Sequence, residues 1–160
     1  MLLINNRYAG MLQKVISLAK RQIYVTQFKI DHIGVRGNGI VADVLNLLAK
    51  KSKEGVKVKV LLDCILPLRG RAANNAKVAQ WMIARGIEVK YLDRNRCQHS
   101  KVVIVDSEHL LLGSHNWSQN SLLRNEEMSI YLTHLEMGRR MDQIFQSNFD
   151  NACDFDKAKI

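Results

Sequence analysis

His99-Ser-Lys101-Val-Val-Ile-Val-Asp106, closed by Gly113-Ser114-His115-Asn116, is the stretch that decides how this chain is read. Its pattern is H-x-K-x4-D-x6-G-S-x-N. Fixed residue types at these offsets arise by chance at roughly one start position in 10^7 to 10^8. The runs near Ser100–Val105 and His109–Leu112 predict two strands joined by a tight turn at Asp106-Ser-Glu. Successive side chains of a strand face opposite ways. His99 and Lys101 therefore share one face, and Val102 and Ile104 take the other. Ser114 and Asn116, again two apart, lie just past the second strand.

Working outward, helix and strand alternate. Leu12, Val15, Ile16 and Ala19 predict a helix over Tyr8 to Lys20, and Ile23 to Ile30 reads as a strand. Gly34 to Gly39 is a loop. Val41, Val44, Leu45 and Leu48 mark a second helix ending near Gly55. Val56 to Asp63 reads as a strand entering the core. After a break at Pro67 to Gly70, a helix over Asn74–Arg85 stops at Gly86, and Ile87–Tyr91 is a strand. A strand over Met128–Thr133 precedes a closing helix with Met137, Met141, Ile144, Phe145 and Phe149 on one face. The pattern predicts an α/β fold, a mixed central β-sheet flanked by helices on both faces. Residues 1–150 are expected to form one catalytic domain and 151–160 a polar, frayed tail. There is no internal repeat, so the signature occurs once.

At 160 residues the chain can bury a sizeable core, and its 47% hydrophobic and 24% charged content is that of a soluble globular protein. A net charge of +9 favours polyanions, either nucleic acid or anionic headgroups. No apolar run approaches the ~20 residues that cross a bilayer, so stable membrane insertion is not expected. No cleavable leader is legible. Cys64, Cys97 and Cys153 are odd in number and lack metal-type spacing, which reads as free thiols in a reducing, cytoplasmic setting.

Around one phosphate, Lys101 would act as a point charge and Ser114 and Asn116 as hydrogen-bond donors. Gly113 removes a side chain where backbone and substrate approach closely. Neutral imidazole is a capable nucleophile near neutral pH, and imidazolium a capable acid; His99 fills one role per step, not both. Asp106 is at odd offsets from both His99 and Lys101 and sits at a turn. Direct participation and a structural role both remain open for it.

These residues resemble the signature of the phospholipase D superfamily, and most closely that of its small single-motif bacterial endonucleases. A glutamate follows in Asn125-Glu126-Glu127, where Glu127 fits the family's N-x-E spacing best and Glu126 competes. The Val-Lys-Val-Leu-Leu-Asp63 and Gly-Ile-Glu-Val strands are similar to the family's too. The resemblance implies a metal-independent phosphodiesterase with no cofactor, working through a covalent phosphohistidine. Its catalytic set would be His99, Lys101, Ser114, Asn116 and Glu127, with Asp106 off the phosphate and Glu127 orienting an imidazole. It also implies that one copy of the motif pairs with a second subunit. The chemistry agrees, because two histidines are needed and a two-fold axis supplies the second His99.

Arg69, Arg71, Arg94 and Arg96 flank strand ends and are candidates to track a substrate's phosphates, or else solvated loop charge. Trp117 would stack on a base or anchor the loop in the core, the latter being favoured. His109 and His115, with His99 and Asp106, lack the spacing of a metal site. Gly34 to Gly39 lacks the lysine of a P-loop. The expected function is an endonuclease hydrolysing DNA, or RNA or single strands, as a homodimer. The alternatives are a phosphatidyl-lipid hydrolase acting on a substrate such as cardiolipin, and a non-catalytic nucleic-acid-binding module.

Overall fold

Val58, Val60 and Leu62 point one way from their strand and Leu61 the other, and this alternation divides the interior into two cores. The computed structural model describes residues 1–31, 38–63, 71–92 and 97–154. In chain order the elements are β1 (Leu2–Ile4), α1 (Arg7–Leu18), β2 (Gln22–Gln27), α2 (Ile40–Lys53), β3 (Lys57–Leu62), α3 (Arg71–Ile83) and β4 (Glu88–Tyr91). They continue as β5 (Val102–Val105), β6 (His109–Gly113), α4 (Gln119–Leu123), β7 (Met128–Thr133), α5 (Leu135–Asp150) and β8 (Cys153–Asp154).

The strands form one mixed sheet in the order β1-β7-β6-β5-β2-β3-β4-β8. β2, β3 and β4 are parallel, joined by segments that include α2 and α3; the remaining pairs are antiparallel. The larger core holds Ile23, Val25, Val103 and Val105 against Leu12, Val15 and Ile16 of α1, Leu45 and Leu48 of α2, Val78 and Met82 of α3 and Leu122 of α4. Tyr24, Leu61, Ile104 and Leu110 face the other way, onto Phe145 and Phe149 of α5. Helices thus cover both faces, but unequally: among the described residues α5 alone serves the second.

Lys59 shows why strict alternation survives in β3. It is buried on the α5 side, where its Nζ reaches Gln146 Oε1 at 3.0 Å and lies 4.7 Å from the Phe149 ring centroid. Burial pushes its ammonium down, with Glu88 opposing. Phe145 and Phe149 make the face predicted for the last helix, whereas Met137 and Ile144 are exposed.

Register gathers the strand ends at two poles. Thr26 pairs with Val102, Val102 with Leu112, and Gly113 with Ser129. The ends of β2, β3 and β6 and the starts of β5 and β7 therefore meet at one pole.

Three elements were not expected. β1 pairs β7 at one edge, α4 is a short helix capped by Ser118, and β8 pairs β4 at the other edge. The predicted strand Ile23–Ile30 ends at Gln27, because the chain then turns away so that Ile30 meets Trp117 in a single bridge. The start of the predicted tail is likewise tied down, since Cys153 and Asp154 pair with β4. Gly34 and Gly37 lie outside the described residues, as does Cys64.

Candidate active site

The pole formed by the start of β5 and the end of β6 brings the two halves of the signature together, Asp106 excepted, with the Gly113 N–H donating to Lys101 O at 3.3 Å. Lys101 is only 7% exposed, and its Nζ donates to the His99 carbonyl at 2.6 Å. The same ammonium lies 3.3 Å from Nδ1 and 3.4 Å from Nε2 of the imidazole. Phe28, just beyond β2, underlies both: its ring lies 4.6 Å from that of His99 and 5.0 Å from Lys101 Nζ. Burial pushes the Lys101 ammonium down, while Glu127, Cys97 and Asp63 oppose it. His99 itself is exposed. A buried cation beside an exposed imidazole suits a phosphate arriving from solvent.

The second half of the signature lies on the loop after β6. Ser114 Oγ donates to Glu127 Oε2 and accepts from the Met128 N–H at 3.0 Å. Ser121 of α4 donates to Glu127 Oε1 at 2.6 Å and accepts the Asn116 N–H at 2.9 Å. Burial alone would raise the Glu127 carboxyl, but hydrogen bonds from Ser114, Ser121 and Asn125, with His115 nearby, hold it below the usual carboxylate range. Asn116 Oδ1 is buried with no partner among the described residues, so the scaffold does not hold that amide oxygen. Glu126, the competing carboxylate, is exposed and accepts from Asn5 Nδ2 at 3.2 Å. Within one chain Glu127 is held by hydroxyls rather than by an imidazole.

Asp106 lies at the opposite pole. Its carboxylate accepts the N–H groups of Lys20, Arg21 and Gln22 at 2.8, 2.9 and 2.9 Å. Burial would raise its carboxyl, and those three bonds, with the Arg21 charge, bring it below the usual range. Its backbone is left-handed at φ 54°, a conformation aspartate tolerates in turns. Five strand residues from Lys101 is ~16 Å, so Asp106 is a clasp between the β5–β6 turn and β2, not a contact to phosphate.

The structure places Trp117 as its favoured reading had it and corrects the expectation at Gly113. Trp117 is fully buried in the larger core, with its N–H bonded to Lys29 O at 3.0 Å through the backbone, so it anchors the loop and offers no face to a base. The space vacated at Gly113 is taken by β7, not by substrate: a Cβ there would lie 2.4 Å from Ser129 Cα and 2.5 Å from Met128 O. Arg71 opens α3, while Arg69, Arg94 and Arg96 lie outside the described residues.

The histidines are separated as well. His115 is buried, stacked 4.2 Å from the Tyr8 ring, with Nδ1 2.7 Å from Ser129 Oγ and Nε2 2.9 Å from Asn5 O. Burial pushes its imidazolium down, against the Asn5 carbonyl and Glu127, and the stacked ring props the loop. His109 bonds the Tyr131 hydroxyl at 2.9 Å at the other pole. Among the described residues no three His, Cys, Asp or Glu side chains gather as a metal site.

Sequence reasoning missed the residues that hold this pole in shape. Asn75 of α3 is buried; its Oδ1 accepts the Ile30 N–H at 2.9 Å, and its Nδ2 donates to Phe28 O at 3.0 Å and Asp63 O at 2.8 Å. Asp63 Oδ1 takes the Gln98 N–H at 2.9 Å, fixing the approach to His99. The aspartate ending a strand gave a faint signal for the second. Asn75 and Ser121 gave none, since an asparagine or serine in a helical stretch reads as surface.

Residues 12–149 match the family model described as cardiolipin synthase, PLD-like domain. The chain superposes on a phospholipase D family member, Nuc from Salmonella typhimurium, with a TM-score of 0.78, 19% identity and coverage of 96% of this chain and 97% of that one. NucT from Helicobacter pylori gives a TM-score of 0.72 at 19% identity, covering 96% and 97% of the two chains. Phosphatidylserine synthase from Haemophilus influenzae gives 0.70 at 18% identity over 97% of this chain and 38% of that one. Comparison with curated protein sequences finds no match.

Proposed function

The chain belongs to the phospholipase D-like family, and from that premise we propose that it is a metal-independent phosphodiesterase that hydrolyses DNA as a homodimer. The observation carrying this reading is the half-site at one pole: one exposed imidazole beside the buried Lys101, whose ammonium feels the charge of Glu127, itself bonded to Ser114. In the proposed reaction a ring nitrogen of His99 attacks phosphorus, and the P–O bond to the leaving strand breaks. The leaving oxygen takes a proton from the partner subunit's His99. Water then attacks the phosphohistidine, giving up a proton to that same partner histidine and releasing the 5′- or 3′-phosphate with His99 restored. Lys101 and Asn116 would carry the charge developing on the non-bridging oxygens.

The lopsided cover of the sheet supports a second copy. Leu2 pairs with Ile130 and Ile4 with Met128, and all four are exposed on one face of β1 and β7. Such a cluster beside an incomplete site fits a two-fold partner. The net charge of +9 supports a nucleic acid substrate.

The deciding measurement is cleavage of plasmid DNA in excess EDTA, with His99→Ala as control. Persistent cleavage, lost in the variant, is expected; no cleavage, or cleavage abolished by the chelator, overturns the reading. A lipid reading is favoured by the matched model's description as cardiolipin synthase. Hydrolysis of cardiolipin vesicles without DNA cleavage would replace the nuclease by a lipid hydrolase.

A further inference from the structure

The pole remote from His99 carries a feature that the proposed reaction does not use. The C-terminal ends of α2 and α3 border an open groove of about 610 Å3 lined by Ala49, Lys50, Ser52, Lys53, Arg85 and Gly86. Its shape is fixed by two contacts. Ser52 Oγ donates to Gly86 O at 3.1 Å, tying the two helix ends together. Arg85 lies flat, its guanidinium 3.8 Å from the Trp81 ring centroid and its Nη1 donating to Trp81 O at 3.0 Å.

Some of the local positive charge has an ordinary role. Helix C-termini carry partial negative charge, which lysines offset. Lys51 donates to Ala19 O at 3.0 Å, and Lys50 and Lys51 approach Glu54 at 3.9 and 3.4 Å. Lys53 and Arg85 make no ion pair among the described residues, and exposed Lys57 adds to them on the same pole. With Nη1 engaged on Trp81 O, the stacked guanidinium is held in place and turns its remaining donors to a phosphate, and the neighbouring lysine supplies a second charge.

We infer that this groove is a second polyanion-binding surface, taking the sugar–phosphate backbone of a nucleic acid outside the catalytic pole. The six-residue β3 separates the two poles by ~20 Å, so the groove holds a different stretch of strand from the one being cut. This inference rests on the nuclease reading for its choice of ligand. An anionic bilayer presents similar phosphates, and exposed Ile83 offers it an apolar contact. The concave setting of Arg85 favours a strand, because a flat bilayer surface meets only the rim.

The test is binding of a short fluorescent DNA duplex to His99→Ala protein across a salt series, with and without Lys53→Ala/Arg85→Ala. The pair should weaken binding about tenfold and make the log–log salt slope shallower by about two, one per lost phosphate contact. Turnover of a small phosphodiester by protein carrying only the groove substitutions should be unchanged, which also verifies folding. Arg85→Lys should recover part of the affinity. Unchanged affinity and slope overturn the inference. So does loss of binding to anionic phosphatidylglycerol vesicles with duplex binding intact. Failure of the nuclease reading registers separately, as absent DNA cleavage in the unsubstituted protein.

Discussion

Glu127 and Asp106 sit at opposite poles of one sheet and look alike in isolation. For each, burial would raise the carboxyl and hydrogen bonds overcome it. The donors differ. Asp106 is surrounded by backbone N–H groups of Lys20, Arg21 and Gln22, which exist to be satisfied in any fold. Glu127 is surrounded by the hydroxyls of Ser114 and Ser121, which are themselves tied to the loop bearing Asn116. One carboxylate fastens a turn. The other ties together the side chains of Ser114 and Ser121 at the pole that carries His99. A perturbed carboxylate marks chemistry only when its partners are reactive groups rather than main chain.

The sharpest way to break this comparison is to remove the nucleophile. His99→Ala should lower phosphodiester cleavage by about a thousandfold or more while leaving the thermal midpoint unchanged. Cleavage rate and calorimetry on the same sample read both. Next comes the pair itself. Glu127→Gln should lower kcat by roughly a hundredfold, about 2.7 kcal/mol of transition-state stabilisation, with little effect on unfolding. Asp106→Asn should do the reverse, costing roughly 2 kcal/mol of stability by loss of charge-assisted bonds and leaving kcat of the folded protein intact. Asparagine tolerates the left-handed backbone there, so the change removes the charge and one of the two accepting oxygens without straining the turn.

Asp106 also has a pH signature. Its folded carboxyl lies below the ordinary value of roughly 3.9, so its contribution to stability is present above that value and disappears as pH falls through the depressed one. Denaturant titrations should show the unsubstituted protein losing this increment in acid, with the Asp106→Asn protein flatter over the same range. The smallest expected effect is at Ser121. Ser121→Ala should reduce kcat about tenfold without changing KM, and shift the acidic limb of the pH–rate profile upward as Glu127 loses a donor. An unchanged profile would reduce Ser121 to a helix residue of structural interest only.

Much of the frame was legible because it rests on periodicity. The alternation in Val56–Asp63 and the spacing of Leu12, Val15 and Ile16 are local signals, and the predicted strands and helices follow them. β1 and β8 were not legible, because segments as short as Leu2–Ile4 and Cys153–Asp154 become strands only by pairing with β7 and β4. At the site, His99, Lys101, Ser114 and Asn116 were legible as residue types at fixed offsets. Asp106 was ambiguous because its odd offset excludes a shared strand face but does not say what it meets. Gly113 was misread for a similar reason: a missing side chain announces a close approach, but not the partner, which is the backbone of β7.

The sequence by itself determined the α/β alternation, the chemical inventory of the signature and its single occurrence, since all three are written in residue identity and spacing. Tertiary structure alone decided that Glu127 bonds Ser114 and Ser121 while Glu126 stays exposed, and how Asn75, Asp63 and Ser121 hold the pole together. Those assignments depend on contacts between residues far apart in the chain, and a hydrogen bond has no sequence signature until folding brings its donor and acceptor within about 3 Å.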